Sequence, residues 1–282
     1  MPVLSEYTGS FMSRDNITIF YRKYQANPER ARMVISHGLG EHSGRYGNVI
    51  ERILPKGITI WAPDHRGHGQ SDGSRGHILA FDEYLDDLSS LINLARKDLP
   101  EGMKCFLLGH SMGGLIALTC ALRIPGIIDG VIVSSPTLGL TATMPVIKSI
   151  LGKFMSSIWP GMTLSNEMDT AKLSHDEGVV QDYMNDFLVH DRVSARWFTE
   201  FLHAMETLNH QASKMQIPIL MQVAGDDYLV DAHASKTFYE RLTLEDRTLR
   251  FYDGLYHEVY NEKDEHRVKV LTDLENWLER HI

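Results

Sequence analysis

Ser111 lies in a short pattern that could make it a nucleophile. In Gly109-His110-Ser111-Met112-Gly113, an apolar run precedes the serine and a second one follows it. G-x-S-x-G between a strand and a helix is typical of a sharp turn that exposes a reactive serine. The glycines would clear space around a strained apex, and a helix starting behind it would bring unpaired N–H groups near the reacting oxygen. The alternative is a glycine-rich turn with a chance serine.

A nucleophilic serine needs a base and a group that orients the base. His257 follows the last predicted strand, whereas most other histidines fall in predicted helices or in residues 137–215. Asp227 follows the preceding predicted strand, and the order Ser, Asp, His suits this arrangement of strands. Asp226 and Asp231 are alternatives, but turn residues and helix caps often use such aspartates. The sequence therefore predicts acyl transfer by Ser111, His257 and Asp227.

An early turn offers N–H groups that could stabilise an oxyanion. His37-Gly38-Leu39-Gly40 follows a predicted strand. The N–H groups of Leu39 and Met112 would then hold the tetrahedral intermediate. A dinucleotide fingerprint is the competing interpretation of Gly38-x-Gly40, but Ser43 stands where its third glycine would be.

Apolar runs alternate with helical patterns along the chain, which predicts a mostly parallel sheet with helices on both faces. Asp15-Asn16 separates two further candidate strands and predicts an antiparallel hairpin at the sheet edge. The predicted strands are 31–38, 57–64, 104–111, 130–136, 218–227 and 248–254, and the predicted helices are 46–54, 81–97, 114–122, 232–242 and 266–281.

Residues 137–215 interrupt this alternation and contain no evident strand. We interpret them as a helical insertion, a cap, over the carboxyl edge of the sheet. The predicted organisation is thus a core of residues 1–136 and 216–282 with a cap of residues 137–215.

Composition narrows the class of protein. The chain has 282 residues, 43% of them hydrophobic, and a formal net charge of −9. This suits one large core and argues against nucleic acid as the main partner. Cys105 and Cys120 lie in apolar runs and are predicted to be buried thiols. No leader or membrane span is evident, so we expect a cytoplasmic protein.

Several motifs together resemble the monoacylglycerol lipase and lysophospholipase branch of the α/β-hydrolases. They are HGLGEHSGRY, APDHRGHGQSDG and GHSMGG, followed by the late Asp227 and His257. The resemblance covers nearly the whole chain and is weakest in the cap. It implies an eight-stranded, mostly parallel sheet with a helical cap after the sixth strand. It also implies hydrolysis of an ester with one long acyl chain, without metal or organic cofactor.

The same resemblance suggests further site residues. Glu41 and Arg45 fall in the glycerol-side loop of the family, although a structural ion pair explains them equally well. Tyr260 stands where mammalian members often have a second histidine, so contact with the alcohol part of the substrate could differ.

The family turn that contains Asp64, Arg66, Gly67 and Ser71 is interpreted as structural. The spacing His65-x-x-His68 is a weak indication of metal, because no third ligand lies nearby in the sequence.

The cap carries one amphipathic stretch, residues 144–159, with a broad apolar stripe. It either packs on the core or forms a lid that lines an acyl tunnel and contacts a membrane surface. The stripe includes the candidate substrate contacts Ile147, Ile150 and Leu151 together with Val146, Phe154, Met155, Ile158 and Trp159.

The sequence thus predicts a monoacylglycerol hydrolase, with lysophospholipase or general carboxylesterase as the alternative. A non-catalytic binding protein or an acyltransferase would use the same fold but suits the complete set of serine, aspartate and histidine less well. The oligomeric state does not follow from the sequence.

Overall fold

A computed structural model describes residues 6–141 and 155–282, and its centre is an eight-stranded sheet. The strands are β1 (Glu6–Met12), β2 (Thr18–Tyr24), β3 (Ala31–Ser36), β4 (Ile58–Pro63), β5 (Lys104–His110), β6 (Gly130–Ser134), β9 (Ile219–Ala224) and β10 (Arg247–Tyr252). Their spatial order is β1-β2-β4-β3-β5-β6-β9-β10. Only β2 runs antiparallel to its neighbours, and every other pair is parallel. The predicted mostly parallel sheet is therefore confirmed.

Helices cover both faces of the sheet, as predicted. They are α1 (Gly47–Ile53), α2 (Asp82–Arg96), α3 (Met112–Arg123), α4 (Glu177–Asn185), α5 (Ala195–Gln211), α6 (Ala232–Arg241) and α7 (Asp264–Glu279). One face packs against α2, α3, α5 and α6, and the other packs against α1 and α7. Successive side chains of β5 point to opposite faces, so Leu107 lies in one core while Phe106 and Leu108 lie in the other.

The predicted hairpin is present at one sheet edge. β1 and β2 pair antiparallel over their full length, from Glu6 opposite Tyr24 to Met12 opposite Thr18. Asn16 lies in the connecting turn with φ of 63°. Asparagine tolerates this left-handed conformation, which explains why the turn forms there.

The expectation that residues 137–215 contain no strand is wrong. β7 (Thr163–Ser165) and β8 (Arg192–Ser194) pair antiparallel in a separate two-stranded sheet. Each strand has three residues, too few for the alternation of apolar and polar side chains that identifies a strand in a sequence. The helices α4 and α5 agree with the predicted helical character.

This segment contacts the loops at the carboxyl edge of the main sheet through its backbone. The N–H of His190 donates to the carbonyl of Gly40 (2.9 Å), and that of Ser194 donates to Gly76 (2.8 Å). The N–H of Glu258 donates to the carbonyl of Leu173 (2.8 Å). The segment is thus fixed over the loops that follow β3, β4 and β10.

Both cysteines are buried free thiols, which confirms the prediction for them. Burial raises the pKa of the Cys105 thiol to about 11 and that of Cys120 to about 12.

In the two stretches that the structure describes, no helix has the length and apolar character needed to cross a membrane.

Candidate active site

Ser111 lies at the apex of the turn between β5 and α3. Its backbone has φ of 53° and ψ of −118°, a conformation that non-glycine residues adopt rarely and usually at functional sites. The Ser111 N–H donates to the carbonyl of Ser134 (3.0 Å), and the Ser111 carbonyl accepts from the N–H of Thr137 (3.1 Å). The adjoining strand end therefore holds the serine in this strained position.

Glycines around Ser111 allow backbone segments to approach closely. A Cβ at Gly113 would lie 2.0 Å from the carbonyl oxygen of Ser36, and a Cβ at Gly109 would lie 2.3 Å from that of Gly113. A Cβ at Gly114 would lie 2.8 Å from the Cβ of Pro136, so this glycine serves packing. The helix begins at Met112, two residues before the predicted start.

Asp227 and His257 meet at the carboxyl edge of the sheet. The Nδ1 of His257 lies 2.6 Å from Oδ2 of Asp227, and both side chains are buried. The other carboxylate oxygen of Asp227 accepts from the N–H groups of Leu229 (2.9 Å) and Val230 (3.0 Å). These bonds fix the carboxylate so that His257 keeps its Nδ1–H toward it, which leaves Nε2 for a proton transfer.

The two alternatives for the acid serve other purposes. Asp231 caps α6 by accepting from the N–H of His233 (2.8 Å), as the sequence suggested. The backbone N–H of Asp226 donates to the carbonyl of Leu255. Of the three aspartates, Asp227 is the one hydrogen-bonded to His257.

The charges of the pair favour an ionised carboxylate and a basic imidazole. Burial opposes the charged form of His257, but the Asp227 carboxylate outweighs it and raises the His257 pKa above its usual value. Burial likewise opposes ionisation of Asp227, yet His257 and two backbone N–H groups lower its pKa. Such a pair suits general base catalysis near neutral pH.

Two N–H groups near Ser111 are available to an oxyanion. The Gly38 turn reaches the serine, because a Cβ on Gly38 would lie 3.3 Å from the Ser111 Cβ. Among the described residues, no group accepts a hydrogen bond from the N–H of Leu39 or Met112. Met112 N–H also lies in the first turn of α3, where the helix dipole favours negative charge.

The Ser111 hydroxyl lies 3.4 Å from Oγ1 of Thr137. Within the described residues it forms no hydrogen bond with His257. Catalytic hydrogen bonds in unliganded sites are often long and shorten when substrate binds. Thr137 is thus a neighbour of the candidate nucleophile that sequence reasoning did not identify.

Glu41 and Arg45 form a buried ion pair, as one of the two interpretations proposed. Arg45 donates to Glu41 (2.8 Å), which also accepts from the N–H of Gly38 (2.6 Å) and the hydroxyl of Tyr46 (2.8 Å). Burial raises the pKa of Glu41, but Arg45 and other donors outweigh burial and lower it to about 2. Glu41 therefore fixes, through its hydrogen bond to Gly38, the turn that contains Leu39.

A second carboxylate, Glu258, completes this network and was missed in the sequence. Arg45 donates to both of its oxygens (2.7 and 2.9 Å). The ring of Tyr183 lies 4.7 Å from the Arg45 guanidinium carbon. Glu258 is separated from Arg45 by 213 positions, and its only sequence signal is its place directly after His257.

Tyr260 is buried and its hydroxyl donates to Oε1 of Gln222 (2.6 Å). Gln222 in turn donates to Tyr252 and to the carbonyl of Val270. The hydroxyl is therefore engaged in the core, while the residue also lines a small cavity with His110 and Glu258, and its contact with the substrate alcohol stays a prediction. The candidate contacts Ile147, Ile150 and Leu151 lie outside the described residues.

The turn after β4 has the structural role expected of it. Asp64 accepts from Ser43 N–H and Oγ and from the N–H of Gln70. The Ser71 hydroxyl donates to the Asp64 carbonyl, and Arg66 binds Asp87 at 2.6 Å. His65 and His68 are buried beside His37, but the described residues contain no cluster with the composition and geometry of a metal site.

Comparisons with known proteins agree with this geometry. The sequence profile of Hydrolase_4, described as serine aminopeptidase, S33, matches residues 27–264. The chain belongs to this family. The resemblance to the monoacylglycerol lipase branch of the α/β-hydrolases is likewise confirmed by the relatives below.

The most informative relatives are matched over nearly their whole length. A monoacylglycerol lipase of Mycolicibacterium smegmatis is 31% identical, with 97% of each chain covered. The phospholipase YtpA of Bacillus subtilis is 34% identical over 86% of this chain and 93% of its own. The crystal structure of the Paleococcus ferrophilus monoacylglycerol lipase superposes with a TM-score of 0.84, 33% identity and coverage of 99% and 100%. The chain spans about a quarter of one longer relative, an uncharacterised abhydrolase domain-containing protein of Dictyostelium discoideum (35% identity, 89% of this chain, 26% of that protein).

Proposed function

We propose that the protein is a serine hydrolase that cleaves the ester of a monoacylglycerol into a fatty acid and glycerol. The observation that carries the proposal is the Asp227–His257 hydrogen bond of 2.6 Å at the sheet edge that also holds the strained Ser111. Full-length similarity to monoacylglycerol lipases supports the substrate class.

In the proposed reaction, Nε2 of His257 takes the proton from Ser111 as its oxygen attacks the ester carbonyl. The N–H groups of Leu39 and Met112 stabilise the resulting oxyanion. His257 then protonates the departing glycerol oxygen and the acyl-enzyme forms. A water molecule, deprotonated by His257, releases the fatty acid and regenerates the serine.

A labelling experiment tests the nucleophile. We expect a fluorophosphonate to label one serine of the wild-type protein and none in Ser111→Ala, with kcat reduced by at least about 1,000-fold. Thr137→Ala is the matched control, because it removes only the hydroxyl beside Ser111 and keeps labelling. Labelling that persists in Ser111→Ala would contradict the proposal.

A lysophospholipase is the second candidate, supported by the similarity to the Bacillus phospholipase. Comparing kcat/KM for 1-monooleoylglycerol, lysophosphatidylcholine and p-nitrophenyl butyrate separates the two. We expect monooleoylglycerol to be preferred, and a preference for the phospholipid would favour the alternative.

We also propose that residues 137–215 act as a cap that receives the acyl chain and contacts a lipid surface. Ile158 and Trp159, the last two residues of the amphipathic stretch, support this, since they are 65% and 64% exposed. Phe187, 92% exposed, lies in the same segment. Exposed apolar side chains of this kind are typical of interfacial contact.

Vesicle flotation tests that contact. In Ile158→Ser/Trp159→Ser we expect binding to phosphatidylcholine vesicles to fall about tenfold, with hydrolysis of p-nitrophenyl butyrate unchanged. Tyr7→Ser is the control, because Tyr7 is 57% exposed on the edge strand β1, away from this segment in the chain. Equal vesicle binding by all three proteins would exclude the surface contact.

A further inference from the structure

Glu258 is a buried carboxylate directly beside the proposed base. It is 4% exposed, and its two oxygens bind the Arg45 guanidinium at 2.7 and 2.9 Å. Asn261 donates to the same carboxylate at 2.8 Å. A buried bidentate pair with a third hydrogen bond is held in one geometry, so the position of Glu258 is well defined.

Arg45 connects two loops that are far apart in the sequence. Glu41 on one side accepts the N–H of Gly38, next to Leu39, and Glu258 on the other side follows His257. The guanidinium thus joins the loop of the proposed oxyanion donor to the loop of the proposed base. No other described ion pair joins these two loops.

The network also carries an excess of negative charge. Two buried carboxylates share one guanidinium, which leaves a formal charge of −1 beside the histidines. Glu258, Arg45 and His110 line the same small cavity, and the rings of His110 and His257 are 4.8 Å apart. Buried charge acts strongly on a nearby imidazole because little water screens it.

We infer that Glu258 is a positioning residue for the reaction: through Arg45 it holds the base loop against the oxyanion loop, and it supplies negative charge beside the imidazole of His257. The inference rests on the proposed function, since it assigns Glu258 a role relative to His257 as base. It deepens that function by adding a second acid behind the base, distinct from Asp227.

The electrostatic surroundings of His257 give the sign of the effect. After the opposing effect of burial, Asp227 raises its pKa most, and Glu258 and Glu41 raise it further. The groups that face His257 and Glu258 from the neighbouring elements are Asp227 after β9, His110 at the end of β5, Glu41, Arg45 and Tyr46 after β3, and Tyr183 of α4 through Arg45. Removing the charge of Glu258 therefore lowers the pKa of His257.

Glu258→Gln keeps the shape of the side chain and removes its charge. We expect the acidic limb of kcat/KM for p-nitrophenyl butyrate to move down by roughly 0.5 to 1 pH unit. At the plateau we expect kcat to fall about tenfold with little change in KM, because the interaction acts on the imidazolium formed during the reaction. Glu258→Asp keeps the negative charge, but its side chain is too short to bind Arg45 in the same way. We therefore expect the acidic limb of kcat/KM to stay at its wild-type pH while kcat remains reduced.

Glu83→Gln is the matched control. Glu83 also gives a carboxylate to a buried guanidinium, that of Arg66, at 2.8 Å. We expect it to lower Tm while leaving the acidic limb in place. If Glu258→Gln behaves like this control, with a lower Tm but with the acidic limb and the kcat of the wild type, the inference is wrong.

Direct titration of His257 separates this inference from the proposed function. The imidazole nitrogen resonances of His257 report its pKa without substrate, and we expect a lower value in Glu258→Gln. Failure of fluorophosphonate labelling in the wild type would overturn the proposed function and leave this measurement intact. An unchanged His257 pKa in a labelled, folded Glu258→Gln would overturn the inference alone.

Discussion

Arg45 and Arg66 are both buried guanidinium groups that bind more than one carboxylate, yet they join different parts of the chain. Arg66 binds Asp15 of the β1–β2 turn and both Glu83 and Asp87 of α2. It thereby fastens the edge hairpin and a helix to the turn after β4. Arg45 instead joins the loop before α1 to the loop that carries His257.

The two networks also differ in their access to solvent. Asp15 has 47% of its side chain exposed, so water screens much of the charge around Arg66. Glu41 and Glu258 have 5% and 4% exposed, and their excess charge acts on the neighbouring histidines. The ion pairs of Arg66 thus hold structural elements together, whereas those of Arg45 also determine the electrostatic surroundings of a candidate catalytic site.

The largest expected effect comes from removing each guanidinium. Arg45→Met leaves the buried Glu41 and Glu258 without their cation, and Arg66→Met does the same to the buried Asp87. We therefore expect each change to lower the free energy of unfolding by about 3 to 5 kcal/mol. Urea unfolding measures this. Only Arg45→Met should also lower kcat/KM in the folded protein, by roughly 10- to 100-fold, because two loops of the candidate site lose their connection. Equal activity of the two variants would remove the distinction between the networks.

A smaller effect concerns acid stability. Burial, followed by the charge of His257, lowers the pKa of His110 to about 4. Between pH 6.5 and 4 the unfolded chain therefore binds a proton that the folded protein excludes, and the free energy of unfolding decreases as the pH falls. One such group contributes about 3 kcal/mol over this range.

His110→Asn and His68→Asn test this contribution to acid stability, one beside His257 and the other in the turn after β4. Burial holds the pKa of His68, in the turn that contains Arg66, well below its usual value. Both variants should reduce the loss of stability on acidification. His110→Asn alone should alter the pH profile of activity, since its ring packs against His257. An unchanged acid slope in both variants would show that these imidazoles are protonated in the native protein.

Much of this arrangement could be predicted because parallel strands bring their carboxyl ends to one edge. Asp227 and His257 follow neighbouring strands, so their hydrogen bond could be predicted from topology, and the same topology predicts that Ser111 lies near them. Glu258 could not be found in this way, because its role depends on a partner 213 residues away and on its burial. The short β7 and β8 were missed for a local reason, since three residues show no periodicity.

The segment between β6 and β9 rests on the core through main-chain hydrogen bonds at Gly40, Gly76 and Glu258. A Cβ at Gly40 would lie 2.4 Å from the carbonyl oxygen of His190, and one at Gly76 would lie 1.8 Å from that of Arg192. Exposed side chains of the segment can therefore change while these main-chain bonds and the core packing of Trp197 and Phe201 in α5 stay the same. For protein engineering, this makes the segment exchangeable in part: chimaeras that retain both glycines and the buried face of α5 should accept different exposed residues and so acquire different substrate ranges.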